Sequence, residues 1–180
     1  IVRPDINKCS ANFTSDNKNF YYALGAIKNV GYEAISNIVK ERIENGSFKS
    51  INDFINRVNP KDINKLQLEG LVKAGAFDTI IENRQSIYDS IPNLILKSKN
   101  EYENKSLNQT NLFGDKDNKN DDLLKKIKDW ETEERLSKEF ETLGFFISDH
   151  PLNQYKNIFK EYNIINYLEF ISDAKNYDAN

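Results

Sequence analysis

The sequence contains no methionine, one cysteine and one histidine among its 180 residues. Because methionine is absent, we expect the segment to come from a longer or processed chain rather than to begin at its own start codon. Cys9 has no partner for an internal disulfide, and His150 alone cannot supply the ligand sets of structural zinc sites. We therefore predict no disulfide and no metal site.

Long apolar runs are also absent. No stretch approaches the ~20 apolar residues of a membrane-spanning helix, and the N-terminus lacks the basic and then apolar pattern of a signal peptide. The composition is 38% hydrophobic and 29% charged, with a mean hydropathy of −0.70. These values are typical of a polar globular chain, so we expect a cytoplasmic location and no membrane partner.

The net charge of −3 hides an asymmetry between the two parts of the chain. Residues 1–100 carry 14 basic and 11 acidic side chains, whereas residues 101–180 carry 11 basic and 17 acidic ones. Affinity for a phosphate backbone comes from clustered Lys and Arg. The two parts are therefore predicted to have different partners.

Apolar residues recur at helical spacing through most of the chain. A helix is predicted from Tyr32 to Glu44, ending at Asn45-Gly46, and Ser50 is expected to cap a short helix after it. Asn59-Pro60 should open another helix, which Gly75 ends. Later helices are predicted from Asn83 toward Lys99, with a bend or break at Pro92, from Asp121 to Leu143, and from Pro151.

The first residues lack a helical period and are predicted to be extended. Residues 97–122 are rich in Asn, Lys, Asp and Ser, which is typical of a linker. The predicted fold is mainly α: a tandem helix-hairpin-helix domain, then a polar linker, then further amphipathic helices.

The first candidate site is the turn Ile27-Lys28-Asn29-Val30-Gly31 before the helix that begins at Tyr32. Two glycine-like positions around one apolar residue let consecutive backbone N–H groups point outward at a helix N-terminus, where a phosphate can bind. Asn29 stands where such a hairpin usually has glycine, and Asn tolerates a positive φ well. A tight structural turn with no ligand is the alternative. The predicted DNA-contact residues here are Lys28, Asn29, Val30, Gly31 and Tyr32.

A more degenerate copy follows about 44 residues later, in the stretch from Leu71 to Phe77. Two such hairpins on the basic part of the chain could hold successive phosphates of one duplex. The predicted contacts of this copy are Lys65, Lys73, Ala74, Gly75 and Ala76. The lysines could instead be solvated helix ends, which is the commoner role of a single Lys.

The second candidate site is a short peptide within the linker, Gln109, Thr110, Asn111, Leu112 and Phe113. Two large apolar side chains isolated in polar chain are typical of a linear docking motif, with the Gln amide fixing the register. Burial of Leu and Phe would each contribute roughly 1.5 to 3 kcal/mol, offset by the cost of ordering the segment. Alternatively, the pair packs on the chain's own domain.

Other patterns do not make a catalytic or metal site. Asp115-Lys116-Asp117 lies in a polar loop with no strand to hold two carboxylates rigidly. A calcium loop starting at Asp115 would have Asn120 where glycine is needed and Lys126 where the bidentate Glu belongs. His150 is expected to form a turn. We predict no catalytic residue in this chain.

Taken together, the motifs resemble those of the alpha subunit of bacterial replicative DNA polymerase III, a C-family polymerase. The resemblance extends over roughly residues 1–155 and rests on six strings in order: RPDIN, YALGAIKNVG, ERIENGSFKSINDF, NKLQLEGLVKAGAFD, QTNLFG and ETLGFFISDHPL. Their order and separation are more specific than either hairpin alone.

The resemblance implies four regions: the end of the fingers (1–19), a tandem helix-hairpin-helix domain (20–100), a linker with the sliding-clamp motif (101–120), and a helical connector toward an oligonucleotide-binding domain (121–180). It implies partners: primer-template DNA, the sliding clamp and other replicase holoenzyme subunits. The catalytic aspartates and their magnesium would belong to a palm domain that this chain does not contain. A hairpin module of a repair nuclease or ligase, and a purely structural connector, are the alternatives.

Overall fold

A computed structural model describes residues 1–106 and 123–171, with the exceptions of residues 166 and 169. Its helices are α1 (Tyr32–Asn45), α2 (Ile51–Arg57), α3 (Lys65–Lys73), α4 (Arg84–Ser106), α5 (Thr132–Leu143) and α6 (Lys156–Glu161). Single 3₁₀ turns lie at Leu24–Ala26, Pro60–Asp62 and Pro151–Tyr155. Two short strands, β1 (Thr14–Ser15) and β2 (Phe20–Tyr21), form an antiparallel ribbon. The predicted mainly α fold is confirmed.

The described chain divides into two compact units, Ile1–Ser148 and Asp149–Asn180. The second unit contains α6, and most of its described large apolar side chains are exposed. In it His150 caps the turn that follows, since its Nδ1 accepts the N–H of Leu152 at 3.2 Å. No helix among the described residues is long and apolar enough to cross a membrane.

The N-terminal segment, predicted to be extended, has a turn at residues 6–8 and belongs to the first unit. Ile6 and Cys9 are fully buried. The Ile6 N–H donates to the carbonyl of Ala76 at 2.8 Å. Arg42 of α1 donates to the carbonyls of Ile6 and Cys9, both at 2.7 Å. These long-range bonds fasten the segment to the helices.

The helix ends follow local capping chemistry. The Ser50 hydroxyl accepts the N–H of Asp53, which starts α2 where the sequence predicted. Pro60, however, opens only a single 3₁₀ turn, and α3 begins later, at Lys65. The reason is a capping box: the Asn64 side chain accepts from Gln67, and the Gln67 side chain accepts from Asn64.

One core joins these elements. Phe54 contacts the rings of Phe48 and Phe77 edge-on, with both centroid distances at 5.1 Å. Such aromatic pairs add about 0.5 to 1.5 kcal/mol beyond the burial of their area. The same core contains Ile27 and Val30 of the first predicted hairpin and Phe77 of the second, so it fixes the positions of both.

Helix α4 continues through Pro92 to Ser106, so an interruption at Pro92 is wrong, whereas a bend there stays a prediction. A proline inside a helix costs about 3 kcal/mol or more. The neighbouring Ile87, Ile91 and Leu94 are buried, and each contributes roughly 1.5 to 3 kcal/mol. Their burial outweighs the lost hydrogen bond. Residues 97–106, predicted as the start of the linker, are therefore helical.

Helix α5 packs against α3 and belongs to the first unit. Trp130 and Leu136 are buried, and the fully buried Glu139 accepts the N–H groups of Ile147 and Ser148 at 3.2 and 3.1 Å. The compact unit therefore ends at Ser148, whereas the sequence placed a boundary at residues 120 and 121. Packing across the linker could not be seen in local composition.

We predict that Gly75→Ala destabilises the first unit by about 2 to 5 kcal/mol. Gly75 has a φ of +78°, and an added Cβ would lie 2.2 Å from a terminal nitrogen of Arg84. Gly144→Ala is the matched control, because Gly144 has a φ of +81° but no atom within 4 Å of an added Cβ. The control should lose only about 1 to 2 kcal/mol. Urea unfolding followed by circular dichroism measures both, and equal losses would contradict the steric argument.

Candidate nucleic-acid interface

The first predicted hairpin has the expected backbone. Ile27 and Val30 are buried and anchor the turn, whereas Lys28 and Asn29 are exposed. Asn29 has a positive φ of 66°, the conformation for which the sequence suggested Asn. Gly31 is extended and is the N-cap of α1, with no side chain capping the helix.

The backbone N–H groups of this hairpin fall into two sets. The Val30 N–H donates to the carbonyl of Ile27, and the Lys28 N–H donates to the carbonyl of Thr142, both at 3.1 Å. Within the part of the chain that the structure describes, no acceptor is found for the N–H groups of Asn29, Gly31 and Tyr32. Uncapped N–H groups at a helix N-terminus attract anions.

Helix α3 supports the hairpin through a glycine that the sequence analysis did not single out. A Cβ at Gly70 would lie 2.8 Å from the carbonyl oxygen of Lys28. Only glycine permits this approach, so Gly70 sets the distance between α3 and the hairpin. A glycine inside a predicted helix was the available signal.

The second predicted hairpin uses its backbone differently. The N–H groups of Ala74, Gly75 and Ala76 donate to the carbonyls of Gly70, Val72 and Leu71, at 2.9 to 3.0 Å. Gly75 is left-handed, and the pattern is a glycine-terminated helix end. Ala74 and Ala76 are buried. These amides already have acceptors, so a phosphate contact at this turn, which stays a prediction, would have to come from other atoms.

Arg84, which was not predicted from the sequence, fixes the position of the second hairpin through hydrogen bonds of its side chain. Its side chain is 3% exposed. It donates to the Lys73 carbonyl at 3.0 Å and to both carboxylate oxygens of Asp78 at 2.8 and 2.6 Å. Arg135 of α5 also donates to Asp78, at 3.0 Å. Bidentate arginine pairs fix orientation strongly, so this turn is rigid and tied to α5.

The predicted cationic side chains are not equivalent. Lys28 is exposed, and Lys65 is exposed with a loose 3.8 Å ion pair to Glu69. Lys73 is only 13% exposed, and its ammonium donates to both carboxylate oxygens of Glu141 at 2.9 and 3.1 Å. The pKa of Glu141 is lowered, first by this hydrogen bond. Lys73 thus has a partner 68 residues away in the chain.

Tyr32 opens α1 beside the hairpin and is 54% exposed. Its hydroxyl accepts from the Asn12 side-chain amide at 2.9 Å.

Residues Gln109 to Phe113 lie outside the described residues, as do Asp115 and Asp117. Among the described residues no group of three or more His, Cys, Asp and Glu is placed to hold a metal ion.

The first hairpin, set between a 3₁₀ turn and α1 and supported by α3, defines a helix-hairpin-helix domain. A family model described as "Helix-hairpin-helix motif" matches residues 1–87. The match includes residues 1–19, which belong to the first unit.

Similarity to curated relatives identifies the family within this class of proteins. The chain belongs to the family of bacterial DNA polymerase III alpha subunits. It is 34% identical over 175 residues to the DNA polymerase III subunit alpha of Caulobacter vibrioides and 34% identical over 180 residues to that of Borreliella burgdorferi. Both matches cover 97% of this chain. The Rickettsia bellii subunit is 42% identical over 148 residues, which cover 80% of it. The chain spans 15%, 16% and 12% of the three relatives' lengths.

We predict that Asn29→Gly leaves stability within about 1 kcal/mol of the original, because glycine adopts a positive φ without strain. Asn29→Val should cost about 1 to 2 kcal/mol or more, since a β-branched side chain disfavours the left-handed region. Urea unfolding measures both variants. Equal stability of the two would show that the left-handed backbone at Asn29 does not persist in solution.

Proposed function

We propose that this chain is a segment of a replicative DNA polymerase that holds duplex DNA without reading its sequence and attaches the polymerase to a sliding clamp. The observation that supports the DNA contact most directly is the first hairpin, where the N–H groups of Asn29, Gly31 and Tyr32 find no acceptor among the described residues and lie beside the exposed Lys28. Such groups bind a phosphate oxygen and not a base edge, so the contact is independent of sequence.

The charges around the first hairpin favour a weak DNA contact. The hairpin offers one exposed lysine, and Lys73 is neutralised by Glu141. Each phosphate that a lysine neutralises releases condensed counterions, so the few contacts give a low affinity that falls with salt. A low affinity suits a protein that must move along DNA.

The clamp contact is proposed for Gln109 to Phe113. These residues lie outside the described ones: before them Ser106 ends α4, and after them Leu123 lines a pocket together with Asn93, Leu96 and Asn104 of that helix. A second attachment point raises the effective concentration of the polymerase at the primer and makes dissociation quickly reversible.

Nucleotide transfer is proposed for the parent polymerase, with magnesium held by carboxylates outside this chain. The relatives named DNA polymerase III subunit alpha support this assignment over a repair nuclease or ligase. The other proposed partners are replicase holoenzyme subunits, and the proposed location is the cytoplasm.

We predict that Lys28→Gln weakens binding of a duplex by several-fold at low salt and lowers the slope of log affinity against log salt by about 1. Lys49→Gln is the control. Lys49 is also exposed but follows the far end of α1, a helix of 14 residues that spans about 20 Å from the hairpin. Fluorescence anisotropy at several salt concentrations measures both. A Lys28 variant that binds like the Lys49 variant would contradict the hairpin site.

We predict that Leu112→Ala with Phe113→Ala abolishes binding of the chain to the sliding clamp. Two apolar anchors and one amide on a short peptide give roughly micromolar affinity, about −8 kcal/mol. Thr110→Ala with Asn111→Ala is the control, because it keeps the anchors and should bind almost as the original does. Anisotropy with purified clamp measures both. Unchanged binding by the Leu112 and Phe113 variant would assign that pair to the chain's own packing.

A further inference from the structure

Glu141 lies on α5 among lysines that belong to or adjoin the proposed DNA site. Its carboxylate accepts two bonds from Lys73, at 2.9 and 3.1 Å. The neighbouring residue, Thr142, accepts the backbone N–H of Lys28 at 3.1 Å. Lys138, one turn earlier on α5, lies 4.7 Å from the centroid of the Trp130 ring and 3.3 Å from Glu134. Glu141 is therefore adjacent to the first hairpin, although it lies far from it in sequence.

The carboxylate and the ammonium of this pair differ in exposure. The Glu141 side chain is 55% exposed, whereas that of Lys73 is 13% exposed. An anion that approaches Lys73 from solvent therefore meets the Glu141 carboxylate beside it. The lowered pKa of Glu141, caused first by the Lys73 hydrogen bond and in smaller part by attraction to Lys28 and Lys138, means that the group is ionised at neutral pH.

We propose that Glu141 limits the affinity of the hairpin site for duplex DNA by occupying Lys73 and cancelling its charge. This inference rests on the proposed DNA-binding function and concerns the strength of the same site. A phosphate at the N–H groups of Asn29 and Gly31 interacts with Lys28 and Lys73 through attraction, and with Glu141 through repulsion. The site consequently holds DNA less tightly than its lysines alone would.

Helix α5 has several anchors besides the Glu141 carboxylate. Helix α5 is held by the bond from Lys28 to the Thr142 backbone, by the buried Leu136, and by the bonds of Glu139 to Ile147 and Ser148. Replacing Glu141 by Gln keeps the size and one acceptor oxygen for Lys73, and it removes the negative charge. The exchange therefore isolates the electrostatic effect.

The test is a duplex-DNA titration of the 180-residue chain by fluorescence anisotropy over a range of salt concentrations. Glu141→Gln should bind several-fold more tightly at low salt and show a salt slope steeper by about 1. Lys73→Gln should bind more weakly, and the double variant should return close to the original. The control pair is Glu44→Gln and Lys40→Gln, because Glu44 is 57% exposed and pairs with Lys40 at 3.8 Å near the far end of α1.

The controls carry the same charge changes away from the hairpin, so a general effect of net charge would move both pairs equally. Equal affinities of the Glu141 and Glu44 variants, with binding still weakened in Lys28→Gln, would overturn the role of Glu141 and leave the DNA site standing. Unchanged binding in the Lys28, Lys73 and Glu141 variants together would overturn the proposed DNA function itself. Should Glu141→Gln lose helicity by circular dichroism, Glu141→Ala supplies the same charge change with high helix propensity.

Discussion

The hydrogen bonds of the buried Arg84 guanidinium are the interactions on which the rest of the first unit depends. They join the end of α3, the turn after it and the start of α4, through the Lys73 carbonyl and the carboxylate of Asp78. Asp78 in turn binds Arg135 of α5. Removal of one partner from a buried ion pair is strongly destabilising, because the remaining charge loses its compensation. The left-handed Gly75 is required beside Arg84 because any side chain there would occupy the space of the guanidinium.

This constraint explains why two similar sequence motifs have different structures. At the first hairpin the helix that follows begins at once, so the N–H groups of Gly31 and Tyr32 stay without acceptors among the described residues. At the second, the chain turns back onto α3, and its amides bond to carbonyls of that helix. One turn is thus suited to a ligand, and the other to holding the domain together.

Local features were predictable from the sequence, and distant partners were not. The positive φ of Asn29 and the cap at Ser50 depend on neighbouring residues, and both agree with the prediction. The pairing of Lys73 with Glu141 joins positions 68 residues apart, and no pattern around Lys73 indicates it. Pro92 misled for a related reason: its local cost is real, but the burial of Ile91 and Leu94 against other elements outweighs it.

The residues on either side of segment 107–122 indicate how a force on the chain reaches the domain. Ser106 ends α4, Leu123 lies against the same helix, and the Lys105 ammonium donates to the Asn56 carbonyl at 2.7 Å. A force applied at Ser106 therefore acts on α4. At its other end α4 begins with Arg84, bonded to the last residue of α3. Through that bond the force reaches α3, the helix that supports the first hairpin.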